Sequence, residues 1–390
     1  MNDPTLMCTT SRGVAGTMGW PLLDLSSCHF PLSAMPLTCP SRLPPNAPGS
    51  AGLVPEAKLH TSDQREPGIV RRRHGRGFSY QGPDGAPVRD RALLDRIKAL
   101  AIPPAWNDVW ICPSPRGHLQ AVGTDAAGRR QYRYHDVWRE QQDRAKFDRV
   151  LEVAERLPAF RKTVDDQLGG RGLTRQRVLA AAARLLDIGF FRIGGESYDS
   201  YGLATLRMEH VTCSNGTITC SYPAKGDIAR EVEVADPGAC KVLRSLKALG
   251  EEGELLRYRR KGGWSDIRSE DINDYLREII GYEVTAKDFR TWHATVLAAV
   301  GLAVSKPAGA GGQAKRQRAV TRVMREVAEY LGNTPTVARA SYVDPRVVEA
   351  YDQEKTIAAA LTELGADADF GQLATAGTVE RAVIRLIRAV

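Results

Sequence analysis

Residues 314–345 leave the chain little conformational choice. Val320, Val323, Met324, Val327 and Leu331 recur at helical spacing, and Gly332 follows them as the glycine that closes a helix. Pro335 opens a second, shorter helix with Asn333 or Thr334 as its cap, and Asp344-Pro345 reads as the cap and first position of a third. Tyr342 stands in the junction NTPTVARASYVDP, just before a helix start and away from the middle of an apolar face. A tyrosine placed there either packs, with its hydroxyl on a neighbour, or presents a phenol for chemistry. Residues further up the chain bear on the choice.

The chain has 390 residues, 43% hydrophobic and 26% charged, enough to bury one sizeable core or two. With 54 Lys and Arg against 46 Asp and Glu the net charge is +8, which favours a polyanionic partner, nucleic acid before membrane. The seven cysteines form no CxxC pair and no cluster with histidine at metal-ligand spacing. Scattered in this way they suit reduced thiols, with neither a disulfide framework nor a metal site. No run of 18 apolar residues is present and no basic segment leads into an apolar one at the start, so a cytoplasmic location without a membrane span is expected.

Three regions follow from composition and period. Residues 1–62 contain nine of the 22 prolines and few charges, and are expected to be a disordered extension. Residues 63–140 read as a small mixed, mainly β domain. Its helix carries Leu93, Leu94, Ile97 and Leu100 and is stopped by Pro103-Pro104; a hairpin pairs Val109–Cys112 with His118–Val122. It ends in GRRQYRYH, where Gln131, Tyr132 and Tyr134 alternate with Arg130 and Arg133. Such a strand can grip a nucleic-acid backbone and touch base edges, or can simply be a half-exposed edge. Residues 141–390 turn mainly helical, interrupted by a second hairpin from Thr217–Tyr222 to Ile228–Val234, and close on an amphipathic helix from Thr378, taken as its cap. The overall class is α+β.

Breaking a phosphodiester with a tyrosine needs cations already aimed at the nonbridging oxygens and an acid for the departing oxygen. Arginine suits the first task because its fork matches phosphate oxygens and its charge is retained. Arg192 follows the apolar run LLDIGFF and precedes the flexible Ile193-Gly194-Gly195, though a surface-turn arginine would look alike. Arg290 lies in TAKDFRTWH, at the edge of an apolar face and close to a helix start that Thr285 and Asp288 can cap. Lys225, at the tip of SYPAKGD, is a mobile candidate acid or a solvating turn residue. His293 shares the apolar face with Phe289 and Trp292 and reads better as a packed histidine than as a donor.

Taken in order, RIGGESY, YGLATLRMEHV, SYPAKG, TAKDFRTWHATVLAA and NTPTVARASYVDP strongly resemble the bacterial type IB DNA topoisomerases of the poxvirus-like branch. IPPAWNDVWICPSPRGHLQAVGTDAAGRRQYRYHDVWRE resembles the same family's small N-terminal domain. The resemblance spans roughly residues 67–375. It implies a clamp of two lobes around duplex DNA, with a catalytic domain shared in type with the tyrosine recombinases. It also implies Tyr342 as nucleophile, leaving a 3′-phosphotyrosyl bond and a free 5′-hydroxyl. Arg192 and Arg290 would hold the nonbridging oxygens, and Lys225 would protonate the 5′ oxygen. Asn333 stands where viral relatives and recombinases place a histidine; bacterial members often have this asparagine, which can donate a hydrogen bond but no charge. Gln131, Tyr132 and Tyr134 would face the major groove. Supercoils of both signs would relax without ATP, metal or other cofactor, and a monomer is expected. The stretch from Tyr198 to Tyr201 is a few residues shorter than the family's. A site-specific tyrosine recombinase is the alternative, but it would place histidine three residues before the second arginine, where this chain has Lys287, and it would lack the small domain. A DNA-binding protein without activity would require one of these side chains to be displaced.

Overall fold

Alternation of inward and outward side chains builds the first part of the fold. In the computed structural model the described residues are 58–195, 200–224, 228–250, 252–305, 312–367 and 377–390. The proline-rich extension up to residue 57, Tyr198, Lys225 and residues 307–311 of the glycine-rich loop therefore lie outside the described residues. Strands β1 (Ile69–His74) and β2 (Gly77–Gln81) form a hairpin, followed by helix α1 (Arg91–Ala99), whose start is capped by Asp90 accepting from the Ala92 amide. Strands β3 (Asn107–Ile111), β4 (Leu119–Thr124) and β5 (Arg130–Tyr134) complete an antiparallel five-stranded sheet of order β2-β1-β3-β4-β5. One face packs Ile69, Ile111 and Ala121 against Ile97 of α1. Cores this small need help from polar staples. Arg71 supplies one: it is buried on that face, lies over the Phe78 ring, and donates to the carbonyls of Ile102, Pro103 and Trp106 in the loop after α1.

From Asp136 the chain is mainly helical. Helix α2 (Asp136–Leu168) runs through Pro158, which sits on its exposed side, and at 33 residues is about 50 Å long. Helix α3 (Arg175–Gly189) is capped by Thr174 and buried nearly all round. A three-stranded antiparallel sheet follows, β6 (Val211–Ser214), β7 (Thr217–Ala224) and β8 (Ile228–Ala235), then α4 (Pro237–Lys247) and a hairpin of β9 (Arg257–Arg260) and β10 (Gly263–Asp266). Helices α5 (Ser269–Ile280), α6 (Ala286–Val304), α7 (Gly312–Leu331), α8 (Pro335–Ser341), α9 (Pro345–Asp352), α10 (Ala358–Asp367) and α11 (Thr378–Arg388) complete the chain. Helix α6 is the hub, in contact with α2, α3, α5, α7, α9, α10 and α11. Its sequence explains this: small and apolar residues on all sides let neighbours approach from every direction, and 15 of its residues are buried. Helix α11 is capped not by Thr378 but by Gly377, whose amide donates to Glu380.

A buried ionic network crosses this hub. Arg161 of α2 donates to both oxygens of Asp187 on α3 (2.8 and 2.9 Å) and to both of Glu380 on α11 (2.6 and 3.0 Å). Trp292 of α6 adds its indole N–H to Glu380 at 2.8 Å, and His293 Nε2 stands 3.5 Å from Asp187. Burial alone would raise the Asp187 pKa, but the nearby His293 and the hydrogen bonds and charge of Arg161 hold it far below the usual carboxylate range. A carboxylate depressed in this way contributes stability that is fully present above about pH 4 and lost only as pH falls toward its strongly acid folded value. Across neutral pH the network is therefore a constant contribution. Glu380→Ala leaves Trp292 Nε1 and half of the Arg161 fork unpaired, and should cost about 3 kcal/mol in urea unfolding. A change within about 0.5 kcal/mol would mean that water replaces Glu380 freely.

Candidate active site

The end of α7 gathers the chemistry. The helix stops at Leu331 because Gly332 takes a left-handed turn, φ +59°, and Asn333 N returns to the Ala328 carbonyl. That leaves the last carbonyls of α7 without helical donors. Three guanidiniums from three other elements take them in succession: Arg230 of β8 on Tyr330 O (2.7 Å), Arg290 of α6 on Leu331 O (2.8 Å) and Arg192 on Gly332 O (2.7 Å). The negative end of the α7 dipole offsets part of the repulsion among three cations held so close.

Arg290 is only 3% exposed, so it stands within the buried part of α6 and not at the edge of its apolar face. The N-terminal box that starts α6 fixes its position: Thr285 N and Oγ1 both donate to Asp288, whose other oxygen accepts from Arg149 at 2.9 Å. Arg290 Nη1 also donates to the carbonyl of Phe190, the left-handed residue (φ 54°) that ends α3. Burial, with the like charges of Arg192 and Arg230, pushes Arg290 down to about 10, the neighbouring Tyr342 phenol opposing the shift. The guanidinium stays charged at neutral pH.

Arg192 leaves α3 on backbone that is held in place. The carbonyls of Arg192 and Ile193 accept from Leu203 and Ala204, and Gly194 (φ +82°) is so close to Gly202 that a side chain on either would collide. The flexibility expected around Ile193-Gly194 is therefore absent at those two residues, and a close backbone approach explains the glycine. Besides Gly332 O, Arg192 Nη2 reaches Asn333 Oδ1 at 2.7 Å. The Asn333 amide is thus oriented with its Nδ2 free to donate. Nδ2 of Asn333 and Nε of Arg290 are both buried with no acceptor among the described residues. Two orphan donors beside three cations make a place for an anion with oxygen acceptors.

Tyr342 ends α8, its ring half-buried, with Arg290 Cζ 5.4 Å and Lys287 Nζ 5.9 Å from its centroid. Thr295, on the same helix as Arg290, secures the backbone beside Tyr342: its hydroxyl accepts from Asp344 N (3.1 Å), with its one proton shared between Thr291 O (2.9 Å) and Tyr342 O (3.3 Å). Asp344 then caps α9. Arg192, Arg290, Asn333 and Tyr342 are thus brought together, while Lys225 lies outside the described residues; the hairpin around it pairs as far as Ala224 and Ile228. His293 is 3% exposed, packed edge-on to Phe190 and beside Asp187, a core position. Arg230 and Thr295 were not singled out by sequence. Arg230 interrupts a strand of alternating aliphatics, a detectable signal; Thr295 carried none.

On the small domain the alternation of β5 divides the candidate DNA contacts. Arg130, Tyr132 and Tyr134 are exposed, the two rings stacked at 6.2 Å. Gln131 and Arg133 point the other way and are engaged internally, Gln131 on Asp125 (2.9 Å) and Arg133 on the Leu100 carbonyl (2.8 Å). Among the described residues no group of His, Cys, Asp and Glu could hold a metal ion, and no helix is long and apolar enough to cross a membrane.

Both parts of the chain are similar to known proteins. Residues 77–125 match the family described as bacterial DNA topoisomerase IB, N-terminal domain. DNA topoisomerase 1B of Acanthamoeba polyphaga mimivirus is 28% identical over 294 residues, covering 73% of this chain and 87% of its own. Residues 135–367, more than half of the chain, match the family described as eukaryotic DNA topoisomerase I, catalytic core. The chain belongs to the type IB DNA topoisomerase family.

Proposed function

We propose that Tyr342 is the nucleophile with which this type IB topoisomerase cuts one strand of duplex DNA. The observation that carries the reading is the convergence of Arg192, Arg290 and Asn333 on the end of α7, with Arg290 Cζ 5.4 Å from the centroid of the Tyr342 ring. The phenol oxygen attacks the scissile phosphorus as its proton leaves to water, and the bond from phosphorus to the 5′ oxygen breaks. Arg192 and Arg290 balance the charge that builds on the nonbridging oxygens, and Asn333 Nδ2 donates one further hydrogen bond. Lys225 gives the 5′ oxygen its proton. The 3′-phosphotyrosyl bond conserves the energy of the phosphodiester, so religation is the reverse step and needs no nucleotide. Between the two, the free end rotates under supercoil tension. The protein acts as a monomer, the small domain and the helical domain closing on opposite sides of the duplex.

Plasmids of both supercoil signs, in EDTA and without ATP, should be relaxed by the intact protein and left untouched by Tyr342→Phe. Tight duplex binding without relaxation would move the reading to a site-specific recombinase or an inactive binder. Asn333→Ala should slow single-turnover cleavage by about tenfold to a hundredfold, the effect of losing one donor to a transition-state oxygen. On β5, Tyr132→Ala should weaken duplex binding about tenfold with the melting temperature unchanged. Arg133→Ala should do the reverse, lowering the melting temperature and sparing affinity. The opposite pattern in a binding titration would reassign the faces of the strand.

A further inference from the structure

The register of β7 and β8 leaves one residue out of character. Ile218, Cys220 and Tyr222 of β7 are buried and pair with Val234, Val232 and Arg230 of β8. Strand periodicity puts Arg230 on the core face, where the preceding pairs are apolar. A guanidinium there is costly unless it is paired. Arg230 is paired at the end of α7, where Nη2 donates to Tyr330 O at 2.7 Å, and it stands opposite Tyr222 across the two strands. Its Nη1 lies against Gly332, so close that a Cβ on that residue would stand 2.6 Å away. Burial depresses its pKa, the Arg192 charge adding to the effect and the Tyr222 phenol opposing it.

Gly332 is the residue on which the site turns. Its carbonyl holds Arg192, its left-handed φ sends the chain into Asn333, and Asn333 Oδ1 holds Arg192 again. Arg192 and Arg290 reach the same turn from the other side, through the carbonyls of Gly332 and Leu331. Arg230 bonds the carbonyl two residues before that turn and packs against Gly332 itself.

We infer that Arg230 is a positioning residue for strand cleavage, holding the end of α7 so that Asn333 and Arg192 keep their places. This rests on the reading of the site around Tyr342 given above.

The test is a double-mutant cycle of Arg230→Ala and Asn333→Ala, read as the single-turnover cleavage rate of a short duplex beside its affinity and the protein's melting curve. Arg230→Ala should slow cleavage by about tenfold or more with affinity within about twofold. In the Asn333→Ala background the same change should cost less than about threefold, because the two act as a unit. Arg230→Lys should recover part of the rate, since an ammonium can bond the Tyr330 carbonyl but lacks the planar fork that also packs against Gly332. A residue that merely capped the helix would lower the melting temperature and leave the folded enzyme's rate unchanged, and that result overturns the proposal. So do losses that multiply in the double mutant. Should Arg230→Ala fail to fold, Arg230→Lys and Arg230→Gln carry the same cycle. A wild-type protein that does not cleave, or a Tyr342→Phe protein that does, would instead refute the reading of the site.

Discussion

A helix that ends inside a protein must find donors for its last carbonyls, and the end of α7 finds three arginines. This one requirement organises the site. It draws Arg192 from the end of α3, Arg230 from β8 and Arg290 from α6 into a small volume before any substrate is present. The carbonyls are good enough partners to keep buried guanidiniums charged, yet they are neutral. A charged anion is a stronger partner for a guanidinium than a neutral carbonyl. Preorganised cations of this kind stabilise developing charge without reorganisation at the moment of reaction.

The same economy of parts holds Tyr342. Helix α6 contributes Arg290 at one point and Thr295 five residues on, so Arg290 and the backbone of Tyr342 are referenced to a single element. Helix α6 is in turn anchored by the buried network of Arg161, Asp187, Glu380 and Trp292, which links α2, α3, α6 and α11. Isolated ion pairs of this type add little net stability, but breaking one partner is expensive. Their effect here is to make the relative positions of four helices specific, and the geometry around Tyr342 depends on those positions.

The small domain solves a different problem with the same chemistry. Its hydrophobic core is slight, and two arginines take over part of the work of packing: buried Arg71 and half-buried Arg96 donate to loop carbonyls. This leaves the exposed side of β5, with Arg130, Tyr132 and Tyr134, available for a duplex. Basic residues in this chain therefore fall into two groups that composition cannot separate, those that close loops and helix ends and those that meet solvent.

Local signals carried much of this into the sequence. Gly332, Pro335, Asp344 and Pro345 mark the ends of α7, α8 and α9 because each depends on its own backbone conformation or its own capping hydrogen bond, and Tyr342 falls between them for the same reason. The Thr285 and Asp288 box, the helical period of α5 and the pairing of β7 with β8 are equally local. The order of short motifs fixed the family. What sequence could not decide was which partner each charged side chain finds, since partners lie as far as 219 positions apart along the chain. Arg290 thus looked peripheral and is buried, the backbone at Ile193-Gly194 looked loose and is pinned, and Gln131 and Arg133 looked like DNA contacts and face inward. Arg230 went unnoticed because its role exists only where β8 meets the end of α7. Helix ends and strand faces are written in neighbouring residues; the destination of a guanidinium is settled only when distant elements pack together.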